Sequence, residues 1–146
     1  MWLAAVRRVA SETLISMHHL DTSIVVAYLR GDREIAQRLQ AKLPDVGISS
    51  IVLAELLFGA KASARPDENS GDVRNLTSAV QVIDFDRLAA DAYGSIRLSL
   101  QKRGLPIGEA DMLIAAAALS RGAVLVTHNR KHFELVEGLN LEDWLE

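Results

Sequence analysis

Apolar positions along the chain fall into short runs separated by longer stretches of helical spacing. Residues 18–20 read as a short strand running into Asp21, and TSIVVAYLRGD after it reads as a helix that Gly31 stops. Asp32 is placed to cap a second helix reaching about Leu43, ended by Pro44. Val46–Ser49 is the second predicted strand. Ser49 or Ser50 then caps IVLAELLFGAKA, whose apolar residues nearly surround the helix and predict that it is mostly buried. Residues 64–72, ARPDENSGD, combine Pro, Asn, Ser and Gly with four charges in nine residues and predict a loop. A short helical piece leads to VQVIDF as the third strand. Leu88, Ala92, Ile96 and Leu100 have helical spacing across residues 86–102, GLPIGEAD reads as a turn, and residues 111–121 as a buried Ala-rich helix. Residues 123–126 and LNLEDWL are the fourth and fifth strands.

Strands separated by helices of ten or more residues imply a parallel sheet with crossover helices on both faces. The expected fold class is therefore α/β, a central and mostly parallel sheet flanked by helices. Ligands in such sheets bind in the crevice beyond the carboxyl ends of the strands, so polar residues just after each strand matter most.

Composition narrows the choice. The 146 residues make one domain, 49% apolar and 24% charged, as in an average globular protein. Sixteen Lys and Arg against nineteen Asp and Glu give a net charge of -3, which excludes affinity through bulk positive charge but leaves room for a local basic rim. Three basic stretches could form one. Residues 30–42 carry Arg30, Arg33, Arg38 and Lys42 against Asp32 and Glu34; Arg97, Lys102 and Arg103 are a second; Arg130 and Lys131 a third. Each alone is more ordinarily a solvated face. Absence of cysteine rules out disulfides, thiolate nucleophiles and Cys zinc sites. The longest apolar run, residues 112–119, is far short of the ~20 residues that span a bilayer. The N-terminal order, apolar first and then Arg7 and Arg8, is not that of a secretory signal, so a cytoplasmic protein without membrane partners is expected.

Three carboxylates stand in apolar surroundings. Asp21 follows the first strand; capping the next helix is its ordinary role. Glu55 lies inside SIVLAELLFGA, where it is either buried with a partner or the one solvent-facing position. Asp111 opens the Ala-rich helix, where the helix dipole alone would favour an acid, and Glu109 could share that role. Taken together they place an acid after strand one, one within the helix after strand two, and one opening the helix before strand four. Two carboxylates ~4 Å apart repel by about 4 kcal/mol at an effective dielectric of 20, so such a cluster demands a cation. Oxygen-only ligands favour Mg²⁺ or Mn²⁺, ions suited to phosphodiester chemistry. Thr127 and Asn129 fall at the end of the fourth strand, where their neutral oxygens could orient a water, although Asn is also an ordinary turn residue. His18 and His19, adjacent in an extended segment, point to opposite faces and cannot chelate one ion. His128 and His132 read as surface or rim histidines.

LDTSIVVAYLRGD, SSIVLAELLFGA, GLPIGEADMLIAAAALSRG and AVLVTHNRKHFELVEGLNLEDW resemble, in this order, the characteristic blocks of PIN-domain ribonucleases, most closely the VapC class of toxin–antitoxin toxins. The resemblance covers residues 17–146. It implies a PIN-like α/β/α sandwich and a Mg²⁺- or Mn²⁺-dependent endoribonuclease. Asp21, Glu55 and Asp111 fall on the family's first three acidic positions and Asn129 on the fourth, where many members carry Asp; an Asn there weakens one metal or water contact. By this reading Asp21 and Asp111 hold the metal, Glu55 binds it or orients a water, and Thr22, Ser23, Thr127 and Asn129 support them. The resemblance also implies a homodimer and a VapB-like antitoxin that plugs the acidic site, as a heterotetramer or larger. Residues 1–16 lie outside it as an N-terminal extension, and Met17 is the expected start.

Two other classes compete. Phosphoaspartyl proteins also carry Asp after strand one, but haloacid-dehalogenase-like phosphatases want a second Asp two residues on, where this chain has Ser23, and receiver domains want a Lys after a late strand, where it has Thr127, His128 and Asn129. A PIN-fold binding module that no longer cuts is opposed by the three acids and supported by Asn129.

Overall fold

A computed structural model describes residues 17–145, and the expectation about residues 1–16 lies outside them. Five short strands, β1 (His18–Leu20), β2 (Val46–Ser49), β3 (Gln81–Ile83), β4 (Val124–Val126) and β5 (Asn140–Glu142), form one sheet in the order β3-β2-β1-β4-β5. Every pairing is parallel. The helices are α1 (Thr22–Leu29), α2 (Arg33–Lys42), α3 (Ser50–Lys61), α4 (Pro66–Ala79), α5 (Arg87–Arg103), α6 (Glu109–Ser120) and α7 (Arg130–Phe133). From β1 the chain moves outward through β2 to β3, then returns to the other side of β1 for β4 and β5. The strand order therefore reverses between β1 and β4, and that gap opens a crevice at their carboxyl ends.

Local chemistry fixes the helix starts. The side chains of Asp32, Ser49 and Asp86 each accept from the backbone N–H three residues on, those of Ile35, Val52 and Ala89. Gly31 (φ 92°) ends the turn after α1, and Gly104 (φ 67°) closes α5, left-handed positions that a side chain would strain. The core is aliphatic, with Ile24, Val25, Ile48, Val52, Ala115 and Leu125 fully buried. Among the described residues no helix is long and apolar enough to cross a membrane.

Four sequence expectations need correction. Residues 64–72 are not a loop: α4 begins at Pro66 and runs fourteen residues. Pro at the first helical position forfeits no hydrogen bond, Asp67 and Glu68 suit the positive end of the helix, and Ser70, Val73 and Leu76 line its buried face against α3. Turn-forming composition there is the composition of a helix start. Second, α3 is not mostly buried. Val52, Leu56 and Ala60 form one buried stripe, while Ala54, Glu55 and Phe58 (74% exposed) face outward, because the sheet, α1, α4 and α6 cover only part of its circumference. Third, Leu88 in α5 is exposed and Ala89 takes the inward position. Fourth, α6 starts at Glu109 rather than at Asp111, with Gly108 at its cap, and Asp111 keeps its expected place in the first turn.

Candidate active site

Asp21 occupies the N-cap position of α1, yet its side chain makes no capping bond. Its Oδ2 instead accepts from the Thr127 hydroxyl at 2.7 Å and from Ser23 Oγ at 3.3 Å. Register explains this. The backbone N–H of Asp21 bonds to the Val126 carbonyl at 2.8 Å, so the ends of β1 and β4 coincide and the next residue of β4, Thr127, lies beside it. Thr127 is fully buried and Asp21 is 5% exposed. Burial, and then the charge of Asp111, push the Asp21 carboxyl above its ordinary pKa, while the bonds from Thr127, Thr22 and Ser23 pull it back.

Asp111 enters from the first turn of α6. Its Oδ2 lies 3.1 Å from Nδ1 of His132, and the same nitrogen is 2.9 Å from the Asn129 amide. The backbone N–H of Asn129 donates to Thr127 Oγ1 at 2.9 Å. A continuous polar chain thus links Asp21, Thr127, Asn129, His132 and Asp111 around the crevice. His132 is the member that sequence reasoning left on the rim. Its signal was the three-residue spacing from Asn129, which puts both on one face of a helical turn.

Glu55 stands apart. Thr22 Oγ1 donates to Glu55 Oε1 at 2.6 Å, which ties it to the start of α1, but the residue is exposed on α3. Of the alternatives open for it, the solvent-facing one holds. Among the described residues no three His, Asp or Glu side chains stand together as a ready-made chelating group. Glu109 is turned to α5, accepting from Tyr93 Oη at 3.3 Å. His128 pairs with Asp143 at 3.0 Å, away from the acids.

The donor set suits a hard divalent ion. No Lys or Arg forms an ion pair with Asp21, Asp111 or Glu55 among the described residues. Mg²⁺ keeps several waters and needs only one or two protein carboxylates, so the Asp21 and Asp111 pair fits where a three-ligand cage would not. Beside the site, a cleft of about 420 Å³ is lined by Thr22, Val26, Arg30, Glu55, Leu56 and Val73.

Comparison with known proteins agrees with this geometry. The PIN domain family model matches residues 19–139. The chain is 37% identical over 126 residues to the tRNA(fMet)-specific endonuclease VapC of Shigella flexneri, covering 86% of this chain and 96% of that one. It is 39% identical, with the same coverage, to the protein of that name from Salmonella typhimurium. Among solved structures, DNA-bound VapBC from Salmonella typhimurium superposes with a TM-score of 0.85 at 37% identity, over 88% of this chain and 98% of that one. VapBC2 of Rickettsia felis, bound to a DNA fragment from its promoter, gives 0.83 at 36% identity with the same coverage. The parallel sheet is thus a shared scaffold, and this chain belongs to the PIN-domain family, among its VapC ribonucleases.

Proposed function

We propose that this chain is a Mg²⁺- or Mn²⁺-dependent endoribonuclease, the cytoplasmic toxin of a VapBC-like toxin–antitoxin pair, hydrolysing RNA phosphodiester bonds at the crevice between β1 and β4. One observation carries the reading. Asp21 is a buried carboxylate turned away from its own helix and beside the charge of a second acid, Asp111, and among the described residues no Lys or Arg pairs with either. Burying charge in this way is costly unless a cation joins it.

Asp21 and Asp111 would hold the ion. When bound, it polarises a phosphoryl oxygen and acidifies water. The chain's own residues set the stage for that chemistry. Thr127 and Ser23 fix the Asp21 carboxylate in one orientation. His132 Nδ1 lies within reach of both Asn129 and Asp111, accepting from the amide in one tautomer and donating to the carboxylate in the other. Glu55, held at one oxygen by Thr22 at the edge of the cleft, would orient a water rather than join the acids directly. The apolar-floored cleft beside Glu55, with Phe58 exposed on the same helix, suits a VapB-like antitoxin segment that covers the acids. A homodimer, joined by antitoxin into a heterotetramer or larger, is part of the same proposal. The competing reading, a PIN-fold module that binds without cutting, draws on Asn129 and on the separation of Glu55.

The test is cleavage of labelled RNA, with tRNA(fMet) among the substrates because the Shigella relative bears that name. Cleavage should appear with Mg²⁺ or Mn²⁺, stop in EDTA, and fall by on the order of 10²–10³-fold in Asp21→Asn and Asp111→Asn, as for loss of one charged group acting on a transition state. Both variants should keep the circular dichroism of the parent. Cleavage that survives EDTA, or an Asp21→Asn variant that cuts normally, overturns the metal-site reading; no cleavage of any RNA favours the binding module.

A further inference from the structure

The three basic stretches meet different fates in the fold. Arg97, exposed, donates to Tyr93 Oη of its own helix at 2.9 Å. Arg103 donates to the Leu135 carbonyl at 2.6 Å and lies 3.9 Å from Glu137, which holds α5 to the segment after α7. Lys102 stays on the exposed face of α5, so this stretch does not gather around one cleft. The other two stretches, distant in sequence, converge. Arg38 and Lys42 from α2 and Arg130 from α7 line one open cleft of about 470 Å³ along β5.

Acids also line this cleft: Asp143 is turned into the protein, whereas Glu142, 43% exposed, stays at the surface and offsets part of the positive charge. Asp143 has a side chain 2% exposed, accepts from the Leu145 N–H at 2.8 Å and pairs with His128 at 3.0 Å. Glu142 accepts from Trp144 Nε1 at 3.2 Å and lies 3.4 Å from His18 Nε2. Among the described residues, Arg38 and Arg130 form only solvent-exposed pairs with acids four positions away, Arg38 to Glu34 at 3.5 Å and Arg130 to Glu134 at 3.7 Å. Such pairs are weak and exchange readily for a phosphate. Three cations against one exposed acid leave the lining of the cleft net positive.

Its position relates it to the acids. Arg130 directly follows Asn129, and Asp143 directly follows β5, which pairs with β4. The cleft therefore begins at the sheet edge that carries Thr127 and Asp21 and runs along α2, where Arg38 and Lys42 lie one turn apart, about 6 Å along the axis. We propose that Arg130, Arg38 and Lys42 form a phosphate track that holds single-stranded RNA on one side of the bond to be cut. This rests on the nuclease reading and adds the path of its substrate. Contacts to phosphate position a strand without reading its sequence. The track therefore sets affinity and reach, and leaves the choice of cut site to the crevice.

The experiment compares the full chain with its R38Q/K42Q/R130Q variant, and with K61Q/R65Q/R74Q as a control that removes the same charge outside the cleft. Fluorescence anisotropy with a labelled 20-nucleotide RNA in EDTA, from about 50 to 200 mM KCl, reads binding without cleavage. The track variant should bind at least about tenfold more weakly at the lowest salt, and its slope of log K against log salt should be shallower by about 2, from ~0.7 per phosphate contact. With Mn²⁺ added, its KM should rise while kcat and the pattern of cut sites stay those of the parent. The control should match the parent in slope. An unchanged slope in the track variant, an equal loss in the control, or tighter binding to duplex DNA of the same length each overturns the track. Normal cleavage with an unchanged slope sinks the track alone; a changed slope in a protein that cuts no RNA sinks the nuclease reading instead.

Discussion

At the scale of single residues, the informative comparison is among N-cap side chains. Asp32, Ser49 and Asp86 all cap their helices, whereas Asp21, at an equivalent backbone position, gives its carboxylate to Thr127. Capping is worth about 1 kcal/mol, so forgoing it marks a side chain with another task. Asn129 falls, by resemblance, on the family's fourth position, where many members carry Asp and others Asn. Its amide faces His132 and, through it, Asp111. Asn129→Asp adds a negative charge to this corner, and Mn²⁺ should bind about tenfold more tightly by titration calorimetry, roughly 1.4 kcal/mol. Unchanged affinity would reduce Asn129 to a brace for His132.

At the scale of elements, α4 is where local composition and structure part company. Gly71 lies within this helix, and a Cβ built there meets no atom within 4 Å. In a helix interior Gly is less favourable than Ala by roughly 0.5–1 kcal/mol. Gly71→Ala should therefore raise Tm by about 2–3 °C in a scanning-calorimetry comparison. Leu76→Ala, on the buried face of the same helix, should cost roughly 2–4 kcal/mol in urea unfolding. A loop at residues 64–72 would give no gain from the first change, so opposite signs at Gly71 and Leu76 identify the helix.

The whole molecule carries a buried group with a consequence for pH. His19, in the central strand, is 2% exposed, and neither ring nitrogen has a hydrogen-bond partner among the described residues. Burial first, and then the Arg121 charge, lower its pKa from 6.5 to about 4. The unfolded chain thus takes up a proton that the folded chain refuses. Stability from this group is full above pH 6.5 and is lost as pH falls toward 4, by on the order of 3 kcal/mol across the window. The urea midpoint should drop between pH 7.5 and 5, and His19→Leu, which removes the proton and the unbonded nitrogens together, should flatten that drop. An equal drop in the variant would assign the pH dependence to other groups.

The amino-acid sequence by itself determined the alternation of strands and helices, the cap at Asp32, a cap at Ser49 or Ser50, and the placing of Asp21, Thr127 and Asn129 at strand ends. These depend on periodicity and capping within one segment, which neighbouring residues decide. Only the tertiary structure decided the rest. Pro66 could open a loop or a helix until the face of Val73 and Leu76 met α3. Glu55 could join the acids or face water until α3 was set on the sheet with one side uncovered. His132 became a partner of Asp111, and Arg130 a neighbour of Arg38, only because the chain reverses its strand order at β1. Contacts between distant segments are fixed by which strands pair, and strand pairing is a property of the folded sheet rather than of any segment within it.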